Sequence, residues 1–318
     1  MLLALNLQAA NTNALAFLKN IPLPGVRGRI DHFALDAQGR RLFMAALGND
    51  TVEVIDLAGG KRLRSIGDCS TPQGVAFVPR ANRLFIANGG NGNVTVLEGA
   101  NFKPLAHVGD LPDADNVRYD AKAGLIYVGY GDGALAVIGA TNGELIARIN
   151  LAGHPESFQL EKNGNRIFVN VPDANQIAVV DRKKRSVIAT WPMGKFHSNF
   201  PMALDEASHR LFVGCRRPAR LAVLDTTSGS RVADVEIAGD TDDVFYDANR
   251  KLIYVSCGAG FIDVIGQRDA NTYQLREHIP TSGGARTSFF AAELDRLFLA
   301  VRAGTLSGGA GIRIYQPQ

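Results

Sequence analysis

The chain has 318 residues, 46% hydrophobic and 20% charged, with 34 Lys and Arg against 31 Asp and Glu for a formal charge of +3. This composition excludes a disordered chain, and its near balance supplies no basic surface for nucleic acid or an anionic membrane. No run of 18 apolar residues occurs, so no membrane span is expected, and three cysteines are too few for a disulfide framework.

Residues 1–14 open apolar, from Met1 to Leu7, but lack a basic n-region, and read as a flexible N-terminus or the remnant of a signal peptide. Residues 15–318 read as a single domain. Leu15 to Leu23 looks like the last strand of a unit whose other strands are missing, similar to Leu145 to Leu151.

A full unit follows. Strands are expected from Ile30 to Asp36, Arg40 to Leu47, Thr51 to Leu57 and Lys61 to Ile66, separated by Gly39, Gly48-Asn49-Asp50 and Gly59-Gly60. The second strand, Arg41-Leu42-Phe43-Met44, returns six times, with Arg41, Arg83, Gly124, Arg166, Arg210, Lys251 and Arg296 in equivalent places. The steps are 42, 41, 42, 44, 41 and 45 residues. Such a period marks a repeat array. First strands alternate, as in Phe33 and Leu35 or Val75 and Phe77, with Ser288 the departure. Second strands are apolar at nearly every position, as expected of strands covered on both faces.

The last unit begins near Thr287 and ends at Tyr315 without a fourth strand. The orphan strand at the start can complete it and close a ring, which removes free sheet edges. The fold expected is all-β: a seven-bladed β-propeller with four antiparallel strands per blade. Third strands end in Asp56, Asp181 and Asp225, which suit turn capping. Cys215 and Cys257 close equivalent strands of neighbouring units and are expected as buried thiols. The basic run Arg182 to Arg185 is expected as a solvated turn.

At Leu84-Phe85-Ile86-Ala87-Asn88, Leu125-Ile126-Tyr127-Val128-Gly129, Ile167-Phe168-Val169-Asn170-Val171 and Leu252-Ile253-Tyr254-Val255-Ser256 the chain resembles the bacterial YVTN-repeat, YncE-like propellers over roughly residues 15 to 317. No unit spells Tyr-Val-Thr-Asn. The resemblance implies a soluble ring, commonly exported, and hence a periplasmic or secreted location. No Trp-Asp pair is present, which argues against WD-type repeats.

Chemistry is expected about ten residues upstream of each marker, where first strands leave the channel mouth. These positions are Asp31-His32, Gln73-Gly74, Asp115-Asn116, Glu156-Ser157, Phe200-Pro201, Asp242-Asp243 and Arg286-Thr287. Three of the six histidines, His32, His154 and His197, fall there. With Asp31, Glu156 and Asp242 they could offer ligands to a divalent metal such as Zn²⁺, Mg²⁺ or Ca²⁺, or form an acid/base pair. Arg216, Arg217 and Arg302 are expected on the same face. Gly304 to Gly311 reads as a long hairpin or a lid.

There is no Gly-x-Ser-x-Gly elbow, P-loop, His-Glu-x-x-His or Cys-x-x-Cys. Two functional readings stay open. One is a binding or scaffold protein, expected as a monomer, for a small polar ligand or protein partner at the mouth, with Asp31, Gln73, Asp115, Asn116, Asp242, Asp243 and Arg286 as contacts. The other is a metal-dependent hydrolase or lyase, lactonase-like or lyase-like, using His32, His154, His197 and Glu156. No cofactor beyond such a metal is expected.

Overall fold

The structure, a computed structural model, describes residues 13–304 and 308–318. The reading of the N-terminus as a signal remnant therefore lies almost wholly outside the described residues, as does the middle of the expected Gly304–Gly311 lid. Where that loop is described, Gly304 and Gly308 bridge each other in antiparallel fashion.

Seven four-stranded antiparallel sheets follow one another along the chain. The first blade consists of Phe33–Asp36, Arg41–Ala46, Thr51–Asp56 and Lys61–Ile66. Six blades are built from consecutive strands. The seventh takes Ser288–Ala291, Arg296–Val301 and Gly311–Pro317 from the end of the chain and Leu15–Pro22 from its start. Leu15 pairs with Pro317 and Pro22 with Gly311, so the expected closure is present. Among the described residues the only helical segments are three-residue 3₁₀ turns, and no helix is long and apolar enough to cross a membrane.

The packing explains the apolar run of the second strand. Leu42 and Met44 join a cluster with Phe298 and Ile312 of the seventh blade. Phe43 and Ala45 join one with Val75, Phe77 and Leu84 of the second. Alternate side chains of one strand thus serve opposite blade interfaces, so the strand cannot alternate with polar residues. Leu42, Phe43 and Met44, fully buried, each contribute about 1.5–3 kcal/mol.

Two irregularities recur in the blades. Every outer strand carries one extra residue at the same place: Leu18, Leu63, Leu105, Ile146, Ile188, Val232 and Arg276. A bulge there bends and twists the free edge away from flat pairing with another molecule. The second irregularity, on the inner strand, builds the mouth and is described below.

The third-strand aspartates cap turns as expected: Asp56 accepts from the Ala58 N–H, Asp181 from Lys183 and Lys184, and Asp225 from Thr227 and Ser228. Cys215 and Cys257 are free and fully buried, and burial pushes the Cys215 thiol up to about 12. One expectation is corrected. Arg182 is not part of a solvated turn: it is half-buried, pairs with Asp120, and donates to the Glu161 carbonyl at 2.7 Å and to that of Gly164. Lys183, Lys184 and Arg185 are the exposed part of the run.

Candidate functional site at the channel mouth

Just before each inner strand becomes regular, the chain bulges. Asp31 N–H donates to the Ala45 carbonyl at 2.8 Å, and His32 carbonyl accepts from the Ala45 N–H at 3.0 Å, so two consecutive residues face one. Asp115-Asn116 embrace Gly129 in the same way, and Glu156-Ser157 embrace Asn170. The register slips at Gln73-Gly74 opposite Ala87, at Phe200-Pro201 opposite Gly214 and at Asp242. A bulge re-aims side chains, here into the mouth of the channel. At four of these places the facing residue is small, and at Gly214 and Gly129 the neighbouring blade leaves no room for a side chain. A Cβ at Gly214 would come within 2.6 Å of Pro201 Cγ of its own blade and 3.0 Å of Thr241 Cγ2 of the next, and one at Gly129 within 3.1 Å of Pro155 Cγ.

These positions converge on a pocket of about 270 Å³. Of the mouth positions read from the sequence, Asp31, His32, Gln73, Asp115, Asn116, Glu156, Ser157, Phe200, Asp242, Asp243 and Arg286 line it, while Gly74, Pro201 and Thr287 do not. His154 and Arg216 also line it, as do Arg29 and Asp113, which the sequence reading missed. The small residue facing four of the bulges, Ala45, Ala87, Gly129 or Gly214, is a signal that marks these approaches in sequence.

His197 is the main departure. It begins a longer strand, His197–Asp205, pairs with Arg217 and is exposed. It does not line the mouth pocket but an adjoining side pocket with Pro172 and Asp173, which shares His154, Glu156 and Phe200 with the mouth. Arg217 is exposed with it.

Asp115 is the centre of the mouth. His32 Nε2 lies 3.7 Å from its Oδ1 and His154 Nε2 3.9 Å from its Oδ2, although the histidines come from different blades. His32 Nε2 is also 3.6 Å from Asp31 Oδ1. The Gly131 carbonyl, 2.7 Å from His154 Nδ1, fixes that ring and leaves Nε2 facing inward. Asp115 Oδ1 and the Asn116 side-chain oxygen are buried and accept no hydrogen bond. Leaving such an acceptor unsatisfied costs on the order of 1–3 kcal/mol.

The opposite side of the mouth is neutralised. Asp242 pairs with Arg216 and, at 2.9 Å, with Arg286, which reaches Asp240 at 2.7 Å. Arg216 also lies over the Phe200 ring, 4.2 Å from its centroid.

The titration behaviour follows from this layout. Burial, reinforced by Asp115 and Asp242, holds Asp31 well above the usual carboxylate range. Burial and the Asp115 charge push Glu156 up to about 8. Burial holds His32 below the ordinary imidazole value despite Asp115, whereas Asp115 beside it and the Gly131 carbonyl lift His154 to about 9. Asp243 is raised by burial although it accepts from the Ser288 N–H at 2.7 Å.

Below the mouth, His32 and Asp243 form a neck shared with a chamber of about 420 Å³ in the channel body, walled by Phe33, Val75, Val117 and Val244. Arg118 enters that chamber, bonded to the Val117 carbonyl at 3.0 Å and to Ser157 Oγ at 3.3 Å.

The metal set expected from sequence is not assembled. Among the described residues no three His, Cys, Asp or Glu side chains gather in a way that could hold an ion. His197 lines only the adjoining side pocket, and Asp242 is engaged by two guanidiniums. Of the expected acid/base candidates, His32, His154 and Glu156 line one pocket around Asp115, and His197 does not.

No family model matches the chain, and no curated protein does. Among solved structures it is similar to the crystal structure of the RRP9 WD40 repeats, with a TM-score of 0.82 and 13% identity over 96% of this chain and 99% of that one. It is also similar to a chain of the mitotic checkpoint complex, TM-score 0.78 and 13% identity over 99% and 98%. A third is the Kuenenia stuttgartiensis hydrazine synthase, TM-score 0.75 and 13% identity over 91% and 97%. At that identity the likeness establishes the propeller fold and nothing about chemistry.

Proposed function

We propose that the protein binds a small polar ligand at the channel mouth. The observation that carries this is the convergence of bulged strand starts from six of the blades on one pocket, at whose centre Asp115 Oδ1 and the Asn116 oxygen are buried without a donor. Seven similar units give a scaffold in which each blade contributes different side chains to a shared rim. That favours recognition by several convergent contacts. A thermal-shift screen of small polar molecules should find stabilising compounds whose effect is lost in an Asp115→Ala variant. Stabilisation that survives that substitution would place binding elsewhere.

A second reading is favoured by one observation: Glu156 keeps its proton to about pH 8 beside His154 and Asp115. A carboxylic acid that is neutral near pH 7 suits general acid catalysis, as in a hydrolase or lyase working without a bound metal. Turnover of a lactone or ester panel that disappears in Glu156→Gln would support it.

We further place the chain with the YVTN-repeat propellers and, with them, in the periplasm or outside the cell. The supporting feature is the recurring second strand, whose terminal Asn88 is explained physically. It is buried, donates to Ile86 and Thr95, and accepts from the Ser70 N–H, so it ties the strand end to the mouth loop. Fractionation of cells carrying the native gene would test the location.

A further inference from the structure

We propose that the group recognised at the mouth is a primary ammonium, held by Asp115 Oδ1, the Asn116 side-chain oxygen and the Glu156 carboxylate. This rests on the ligand-binding reading above and narrows it to a chemical class.

Four observations lead there. The two buried oxygens need donors, and an ammonium offers three N–H groups from one atom. The pocket is lined by six acids, Asp31, Asp113, Asp115, Glu156, Asp242 and Asp243, against three guanidiniums, Arg29, Arg216 and Arg286, and two imidazoles, His32 and His154, of which His154 is held positive to about pH 9. Those guanidiniums are already matched: Arg29 to Asp31 at 3.2 Å, Arg216 and Arg286 to Asp242 and Asp240. An anionic ligand would have to displace these carboxylates, whereas a cation meets Asp115 and Glu156, which no arginine pairs. The pocket, at about 270 Å³, has room for roughly nine waters at ~30 Å³ each. That is the size of a small organic molecule, larger than a bare ion requires.

The groups facing Glu156 are Asp115, His154, Asp242 and Arg216. With no cation present Glu156 is protonated below about pH 8, so an ammonium that binds the carboxylate must expel that proton. His154, positive below about pH 9, opposes the ligand until it too is neutralised. Both effects strengthen binding as pH rises from neutrality, while an alkylammonium stays charged to about pH 10.

The experiment is calorimetric titration of the whole chain with 1,4-diaminobutane and butylamine, and in parallel with butane-1,4-diol, succinate, MgCl₂ and ZnCl₂, at about pH 6.5 and about pH 8. The amines are expected to bind about tenfold or more tightly than the diol and succinate, and about threefold or more tightly at the higher pH. Asp115→Asn should weaken them about tenfold at unchanged melting temperature, whereas Glu156→Gln should bind as the parent does near pH 6.5 and lose most of the gain at about pH 8. If Asp115→Asn does not fold, Asn116→Ala takes its place, with a loss of about fivefold expected. Tighter binding of the diol, succinate or either metal, or indifference to these substitutions, would overturn the ammonium assignment and leave the ligand-binding reading standing. No binding by any probe here or in the wider thermal-shift screen would overturn both.

Discussion

Glu156 shows how a single side chain in the mouth sets the pH response of the fold. Its carboxyl is held up to about 8, first by burial and then by the Asp115 charge. Between the ordinary carboxylate value and about pH 8 the folded chain therefore retains a proton that the unfolded chain has released, and stability falls as pH rises through that window. His154, lifted to about 9, loses stability in the same direction between the ordinary imidazole value and about pH 9. Glu156→Gln removes the first contribution only. The variant should melt together with the parent near pH 5 and about 2–5 °C above it near pH 8.5, as read by scanning calorimetry. Parallel melting curves across the whole range would show that Glu156 titrates normally. That Glu156 lies in the mouth follows from its distance upstream of Arg166. What the repeat could not tell is that His32 and His154, three blades apart by their markers and more than a third of the chain apart in sequence, both end on Asp115. That meeting depends on how far each side chain reaches across the ring, and spacing along the chain carries no such information.

At the level of the strand, Leu15–Pro22 carries both kinds of position found in a blade. Ile21 is fully buried in the interface between the seventh and first blades, beside Ile312 and Met44. Leu18, three residues earlier, is the extra residue of the outer-strand bulge and is exposed. Ile21→Ala should cost about 2–5 kcal/mol through the lost contacts and the cavity left behind. Leu18→Lys should change stability by no more than about 0.5 kcal/mol. Urea denaturation of the two variants distinguishes them, and similar losses would contradict the bulged pairing of this strand. The strands themselves were legible to within a few residues. The largest boundary error has a physical cause: a strand was expected from Ile30, but Asp31 and His32 both face Ala45, so regular pairing starts only at Phe33. His197 differs for the opposite reason: its strand runs on past the bulge to pair with Arg217, and the ring lines the adjoining side pocket instead of the mouth pocket.

Over the whole molecule, closure rests on one topological device, the sharing of the seventh blade between the two ends of the chain. The Gln318 N–H donates to the Ala14 carbonyl at 3.0 Å, so a chain that starts at Ala14 can be joined to Gln318 by a short linker. This separates the contacts of the closing strand from its topology by circular permutation. One permutant opens at the exposed turn between Lys183 and Lys184, inside the fourth blade. Its new first strand, Ser186–Pro192, must then return to pair with Gln176–Asp181 from the other end, so the ring is latched within a blade again. The second permutant opens between Gly109 and Asp110, after the second blade is complete and before the third begins. It keeps every strand pair of the parent, but no blade is shared between its ends, and no strand ladder crosses the seam, which is held by side-chain packing in the cluster around Val96, Leu111 and Val128 and by a few hydrogen bonds, from the Leu111 N–H to Gly92 and from the Gln73 amide to Asp113 and Ala114. If shared-blade closure is what holds the ring, the first permutant should melt close to the parent and the second clearly lower, by about 5 °C or more. Equal melting would assign closure to the blade interfaces alone and reduce the pairing of Leu15 with Pro317 to one more strand contact.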